Sequence, residues 1–381
     1  MNYIKRKIEP EIIRLMSKGK AIVVYGPRQS GKTTMLKHII EENGLDAVWL
    51  DADLLDVREL FSGMSPEKWR NILGEKKTVV IDEAQRIENI GLALKILVDN
   101  MSDVRILVTG SSALDLRNRT EEALTGRKFD FLLLPLSFEE FSAANGELSE
   151  MREIESRLVY GSYPDVVASG IDRDRTLTSL ASSYLYKDIL VADGMAKPAA
   201  LDKLVRALAF QIGCEVSYQE LAAIVGIDRK TAEKYVNLLK RCFVVFELGA
   251  YARNLRNEIK KSRKIYFFDN GIRNAVIGNL LPLSSRAGDE IGHLWENYCL
   301  AERYKRNANI AVSPRSYFWR TKSGQEIDYL EEDAGGLSAW EVKWNPSKAQ
   351  GAAPGAFRTA YPSSKWGFVS PGNCVHFFRG S

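Results

Sequence analysis

Residues 21–35 read AIVVYGPRQSGKTTM, and no other stretch of the chain limits its fold so strongly. The apolar run Ala21–Tyr25 predicts a buried strand, Gly26 to Thr33 a tight loop, and the residues that follow can continue as a helix. Glycines at both ends of the loop let several backbone N–H groups point inward, and the helix adds the positive end of its dipole. This is a P-loop in its required strand–loop–helix setting. Gly26, Pro27, Arg28, Gln29, Ser30, Gly31, Lys32, Thr33 and Thr34 are expected to wrap the phosphates of ATP. Lys32 can reach the outer phosphates, and the Thr33 hydroxyl can ligate Mg²⁺.

A chain of 381 residues is too long for one ordinary core, and its 45% apolar residues are enough to bury several. No segment approaches the roughly 18 apolar residues of a membrane span, and the first residues lack a secretory signal pattern. The expectation is a soluble, cytoplasmic protein without a membrane partner. Cys214, Cys242, Cys299 and Cys374 are far apart and form no CxxC pair, which argues against a zinc site or a disulfide framework and for reduced, buried thiols.

Strands alternate with helices through the first 134 residues: Ala47 to Asp51, Thr78 to Ile81, Arg105 to Val108 and Lys128 to Leu134 read as further strands. An amphipathic helix over residues 1–20, with Ile8, Ile12, Ile13 and Met16 on one face, precedes them. The pattern predicts an α/β fold with a doubly wound, mostly parallel sheet, whose ligands bind at the carboxyl ends of the strands. Asp82-Glu83 closes the run TVVI as the acidic pair of a Walker B motif does. Asp82 is placed to hold Mg²⁺ with Thr33, and Glu83 to orient and deprotonate the attacking water, because phosphoryl transfer depends on positioning and charge neutralisation. Thr109 and Ser111, after the next strand, are positioned either to sense the outer phosphate or to cap a helix.

The phrases GPRQSGKTT, VVIDEAQR, LVTGSSA and LTGRKFDFLLLPLSFEEF together resemble the prokaryotic AAA-type (AAA+) ATPases that carry a C-terminal domain of unknown function 4143. The resemblance covers nearly the whole chain. It implies that Arg127, in LTGRK, is a candidate arginine finger, acting in cis or on a neighbouring subunit of a homo-oligomer; Arg117 and Arg119 compete, and a strand-edge arginine is the plain reading. It also implies that GSYP, Gly161 to Pro164, is a small-residue turn within a helical lid running from Met151 to about Pro198.

Residues 201–280 carry 14 Lys and Arg against 8 Asp and Glu, whereas residues 1–150 carry 21 against 24. The positive excess lies outside the P-loop region and suggests a polyanionic partner there. Ser217 to Ala222 starts a short helix, Gly226 turns, and Asp228 caps a longer helix through Arg241, which is the phrase of a helix-turn-helix. The β-type runs Phe243 to Leu248 and Lys264 to Phe268 then frame Arg253, Arg256, Lys260, Lys261 and Arg263, the plan of a winged helix with a basic wing. Arg229, Lys230, Lys234 and Lys240 are the residues that could enter a DNA groove; winged helices that bind protein instead are the competing case.

Near the end of the sequence, Glu296 on a helix, Asp328 in GQEIDYL, and Glu341 and Lys343 in EVK look like a PD-(D/E)xK nuclease core, in which carboxylates hold divalent metal and the lysine supports the attacking water. Ile327 stands where that motif usually has proline. The expected domains are therefore residues 1–150 (AAA-type ATPase), 151–200 (lid), 201–282 (winged helix) and 283–381 (α/β, nuclease-like). The expected function is ATP-driven remodelling of duplex or branched DNA. A nucleotide-driven switch that binds protein and an ATP-gated, metal-dependent nuclease are the alternatives.

Overall fold

The computed structural model describes residues 3–111, 120, 123–182, 198–251, 263–349 and 351–380. Strands β1 (Ala21–Tyr25), β2 (Ala47–Asp51), β3 (Thr78–Asp82), β4 (Arg105–Gly110) and β5 (Lys128–Leu132) form one parallel sheet in the order β2-β3-β4-β1-β5. β1 and β3 are buried along their whole length, so both faces of the sheet need a cover. Ile8, Ile12 and Met16 around the helix Glu9–Leu15, with Met35, Leu36 and Ile39 of the helix Lys32–Glu42, cover one face. Trp69 and Leu73 of Pro66–Leu73, with Ile90, Leu94 and Leu97 of Ile90–Asn100, cover the other. Parallel strands bring Gly26, Asp82 and Gly110 to the same edge.

The second sheet has seven strands in the order β12-β11-β10-β9-β7-β8-β6. They are β6 (Glu215–Val216), β7 (Val245–Ala250), β8 (Arg263–Phe267), β9 (Arg315–Arg320), β10 (Glu326–Asp333), β11 (Gly336–Val342) and β12 (Lys365–Val369). The helices Tyr218–Val225 and Arg229–Arg241 form the expected helix-turn-helix: Gly226 turns in the left-handed region and the Asp228 side chain accepts from the Thr231 N–H. β7 pairs with β8 antiparallel and with β9 in parallel, Gly249 against Tyr317 and Ala250 against Phe318. The sheet thus runs across the position between residues 282 and 283 where a boundary was expected. The core does so as well, since Phe246, Leu248 and Tyr266 pack with Trp295, Phe318 and Val342.

The helical segment begins earlier than Met151, with Phe138–Asn145 and Glu147–Arg152, and continues through Ile154–Tyr160, Pro164–Ala168 and residues 173–182. Ile154, Leu158 and Val159 are buried against the C-terminal half; Tyr163, Val166 and Leu177 are buried against the helix-turn-helix side. The segment expected as a lid is therefore built into both cores. Its GSYP turn is where it docks: the Ser162 N–H donates to Asp269 Oδ2 at 2.8 Å, and Asp269 caps the helix Asn270–Ile277 through the Ile272 N–H. Gly161 has φ +72° and a Cβ there would lie 1.9 Å from Asp269 Oδ1, so only glycine fits.

Cys242, Cys299 and Cys374 are buried as expected, whereas Cys214 is exposed because it follows a loop glycine at the rim of a cavity. Among the described residues, no helix is long and apolar enough to cross a membrane.

Candidate functional site

The P-loop leaves β1 with Gly26 at φ +154°, where a Cβ would lie 2.0 Å from the Leu133 carbonyl oxygen, and enters its helix through Gly31 at φ +94°. Between them Gln29 takes φ +57°, a conformation that non-glycine residues adopt only when their surroundings compel it. The Lys32 ammonium lies back across the loop, donating to the carbonyls of Gly26 (2.9 Å) and Pro27 (2.8 Å). The Thr33 hydroxyl donates to Asp82 Oδ2 at 2.8 Å. The Ser30 hydroxyl is buried with no hydrogen-bond partner. A glycine cradle, an ammonium in reach and a hydroxyl–carboxylate pair at its mouth fit a nucleotide with its Mg²⁺, which Thr33 and Asp82 would hold.

Thr109 lies near the end of β4, against the acidic pair. Its hydroxyl donates to Asp82 Oδ1 and accepts the Glu83 N–H at 3.1 Å, so it braces both residues. Glu83 sits in the left-handed region at φ +50° and its carboxylate accepts from Gln85 Nε2 at 2.5 Å; Gln85 also donates to Ser111 Oγ at 3.0 Å. Gln85 thus restrains Glu83 while its own Oε1 is buried with no partner. The sequence offered no sign of this beyond a polar residue two positions after Glu83.

Arg6 is a second residue the motifs do not reveal. Its guanidinium is buried and donates to the Ser30 carbonyl (2.7 Å), the Leu134 carbonyl (2.6 Å) and Glu140 Oε1 (3.0 Å), tying the P-loop to the chain that leaves β5. Burial pushes the Glu140 carboxyl up, but Arg6 and the N–H groups of Lys7 and Ser137 outweigh it and hold it below its ordinary range.

Arg127 is not brought to this site. Its carbonyl accepts from the Ala21 N–H at 3.0 Å, at the amino end of β1, and its guanidinium pairs with Asp99 at 2.6 Å. The P-loop starts at the other end of β1, roughly 13 Å away at about 3.3 Å per residue. A finger in cis is therefore corrected by strand direction: a residue that precedes a parallel strand lies at the edge opposite the ligand. Donation to a neighbouring subunit and the plain strand-edge arginine, paired with Asp99, are the readings that remain. Arg117 and Arg119 lie outside the described residues.

On the helix-turn-helix, Arg229, Lys230 and Lys234 are exposed, while Lys240 is half-buried and pairs with Glu247 at 2.8 Å. Arg263 stacks on Tyr218, 4.2 Å from the ring centre, and also meets Glu247. Lys240 and Arg263 are thus bound to the domain itself. Arg253, Arg256, Lys260 and Lys261 lie outside the described residues.

Glu296, Asp328, Glu341 and Lys343 do converge, on a cavity of about 1360 Å³ that His293, Arg320 and Glu326 also line. Asp328 Oδ2 accepts from the Val342 N–H (2.8 Å) and Lys343 Nζ (3.1 Å), and Lys343 lies 3.6 Å from Glu341. Burial would lower the Lys343 pKa, but Asp328, Glu341 and Glu296 raise it. Glu296 Oε1 accepts from the Tyr266 hydroxyl at 2.6 Å and from Lys264 at 3.3 Å. Among the described residues, no three His, Cys, Asp or Glu side chains come together closely enough to hold a metal ion. Each of Glu296, Asp328 and Glu341 instead lies against an ammonium of the chain, Lys264 or Lys343.

The sequence matches the model of an AAA domain over residues 18–142 and that of a domain of unknown function, DUF4143, over residues 291–374. Residues 18–142 thus carry an AAA domain and residues 291–374 a domain of unknown function, DUF4143. Between the two lies a match, over residues 151–282, to a further domain of unknown function, DUF8612. An uncharacterized protein of Mycobacterium tuberculosis is 25% identical over 342 residues, covering 89% of this chain and 74% of that protein. One from Haemophilus influenzae is 24% identical over 341 residues, covering 82% and 79%. Among solved structures, the Thermotoga maritima RuvB Holliday junction branch migration motor aligns at 17% identity and TM-score 0.30, covering 68% of this chain and 89% of that one. The AAA domain is thus the P-loop sheet described above, and the DUF4143 match contains all four residues of the carboxylate cavity.

Proposed function

We propose that the chain is a Mg²⁺-dependent ATPase that binds and remodels nucleic acid, duplex or branched DNA, through a winged helix and the C-terminal half. The observation that carries this reading is the pairing of a formed Thr33–Asp82–Thr109–Glu83 cluster beside the P-loop with an exposed cationic face, Arg229, Lys230 and Lys234, on the second helix of the helix-turn-helix. When bound, Mg²⁺ neutralises charge on the transferring phosphate. The chain's own part is to cradle the phosphates on the backbone N–H groups after Gly26, place Lys32 over them, and hold the Glu83 carboxylate for the water's proton. Lys32 already spans the loop, so it need only exchange two carbonyl acceptors for phosphate oxygens. Arg229 and Lys230 open a helix of 13 residues, the end that a groove-binding helix presents to bases and phosphates.

The ATPase rate measured with single-stranded, duplex and branched DNAs tests the proposal, and one of these is expected to raise it. Fluorescence anisotropy is expected to show binding that weakens as salt rises. A rate indifferent to every DNA, together with binding only to protein partners, would replace this reading by the nucleotide-driven switch.

A further inference from the structure

The carboxylate cavity contains a cation supplied by the chain. Lys264 lies on β8, outside the DUF4143 match, and is 3% exposed. Its ammonium reaches Glu326 Oε1 at 2.5 Å and Glu296 Oε1 at 3.3 Å, and it sits 5.5 Å from the centre of the Phe318 ring. Tyr266, on the same face of the same strand, donates to the same Glu296 oxygen. On the other side of the cavity Lys343 and the Val342 N–H share Asp328 Oδ2. Glu296, Glu326 and Asp328 are therefore each held by a donor from the chain, and two of these donors are ammonium groups.

A divalent ion with oxygen ligands requires several carboxylate oxygens to turn toward one point. Here they turn toward Lys264 and Lys343. Burial lowers the Lys264 pKa, but Glu296, Glu326 and Asp328 outweigh it and raise it above the ordinary lysine range, so the ammonium persists. Glu296 is pushed up by burial and further by Asp328, while Lys264 and the Tyr266 hydroxyl oppose the shift. Removing a buried ammonium from such a group would leave the carboxylates repelling one another.

We propose that Lys264 is the resident cation of this cavity, neutralising the carboxylates as a divalent metal would, so that the constellation serves as a socket for β8 and loads no metal of its own. The site resembles a nuclease centre in residue types and differs from one in what occupies it. Glu296 and Glu326 thereby anchor β8, and with it the helix-turn-helix sheet, to the C-terminal half.

The test is Mn²⁺ titration of the full, chelator-stripped chain without nucleotide, with free ion followed by electron paramagnetic resonance. Wild type and Asp328→Asn are expected to give superimposable curves; an ion held beside Asp82 survives that substitution and is told apart by it. Lys264→Met is expected to gain one Mn²⁺ with affinity on the order of a hundredfold above wild type, since removing a unit charge a few ångströms from a divalent ion has at least that effect. Adding Asp328→Asn should abolish the gain, and Lys264→Arg should show none. A wild-type ion that disappears in Asp328→Asn overturns the proposal. So does a folded Lys264→Met that gains no ion. If Lys264→Met does not fold, the comparison of wild type with Asp328→Asn decides alone.

Discussion

Replacing Arg6 by methionine keeps the length of an apolar stem and removes three hydrogen bonds and a charge from a site where Arg6 and Glu140 are 4% and 1% exposed. Glu140 would retain the N–H groups of Lys7 and Ser137 but lose Arg6, its ion-pair partner among the described residues. Breaking a buried pair from one side costs about 3–5 kcal/mol, because the remaining charge is uncompensated. Hydrogen exchange at the β1 and β5 amides reads that loss where it occurs. Arg6→Met with Glu140→Gln is expected to recover a large part of it, since the double variant buries no charge. The loss should also depend on pH. In the wild type, folding lowers the Glu140 pKa from its ordinary 4.5, so the folded state binds fewer protons; the stabilisation is complete above 4.5 and fades as pH falls through the lowered folded value. In Arg6→Met the isolated carboxyl takes up a proton more readily, and the penalty shrinks toward pH 4. A loss below about 1 kcal/mol at pH 7, or a double variant no more stable than Arg6→Met, would refute the view that this pair holds the P-loop to β5.

Lys32→Ala is expected to abolish nucleotide binding, and Glu83→Gln to keep binding while losing hydrolysis; equal ATPase rates for wild type and Glu83→Gln would remove Glu83 from its role. Gly161→Ala should destabilise the chain by about 3 kcal/mol in urea unfolding, from a strained left-handed backbone together with displacement of Asp269 from Ser162. An unchanged midpoint would mean that the GSYP turn moves aside without cost.

The P-loop sheet was legible because each of its chemical groups stands at the carboxyl end of an apolar strand: Gly26 directly after β1, Glu83 directly after β3, Thr109 next to last in β4. Topology then brings such ends together without further information. The same rule, applied to Arg127, would have excluded it, since it stands before β5 and not after it. Arg6, Gln85 and Lys264 were not legible. Arg6 sits in the charged run KRK and Lys264 in another, SRK, where a buried cation looks like its solvated neighbours. What distinguishes them is a partner far along the chain, Glu140 for one and Glu296 for the other. The four C-terminal residues were read correctly as neighbours, yet the fifth member, which sets the cavity's charge balance, comes from a strand assigned to a different unit.

The pairing of β7 with β9 makes a mechanical statement as well. Gly249 pairs with Tyr317 and Ala250 with Phe318, and the Tyr251 N–H donates to the Phe318 carbonyl at 2.7 Å, so the two C-terminal parts join edge to edge. If the chain turns over nucleotide as proposed, a displacement of the AAA sheet would reach the basic helix and the carboxylate socket through this one seven-stranded sheet. The strip from Leu133 to Ser137, where the AAA sheet hands the chain on, is itself buried and held from both sides: the Leu133 N–H donates to the Tyr25 carbonyl, the Leu136 N–H to the Ser162 carbonyl, and Arg6 grips the strip at Leu134. Under the proposed function, whatever the helix-turn-helix and the C-terminal half hold would be carried as one load.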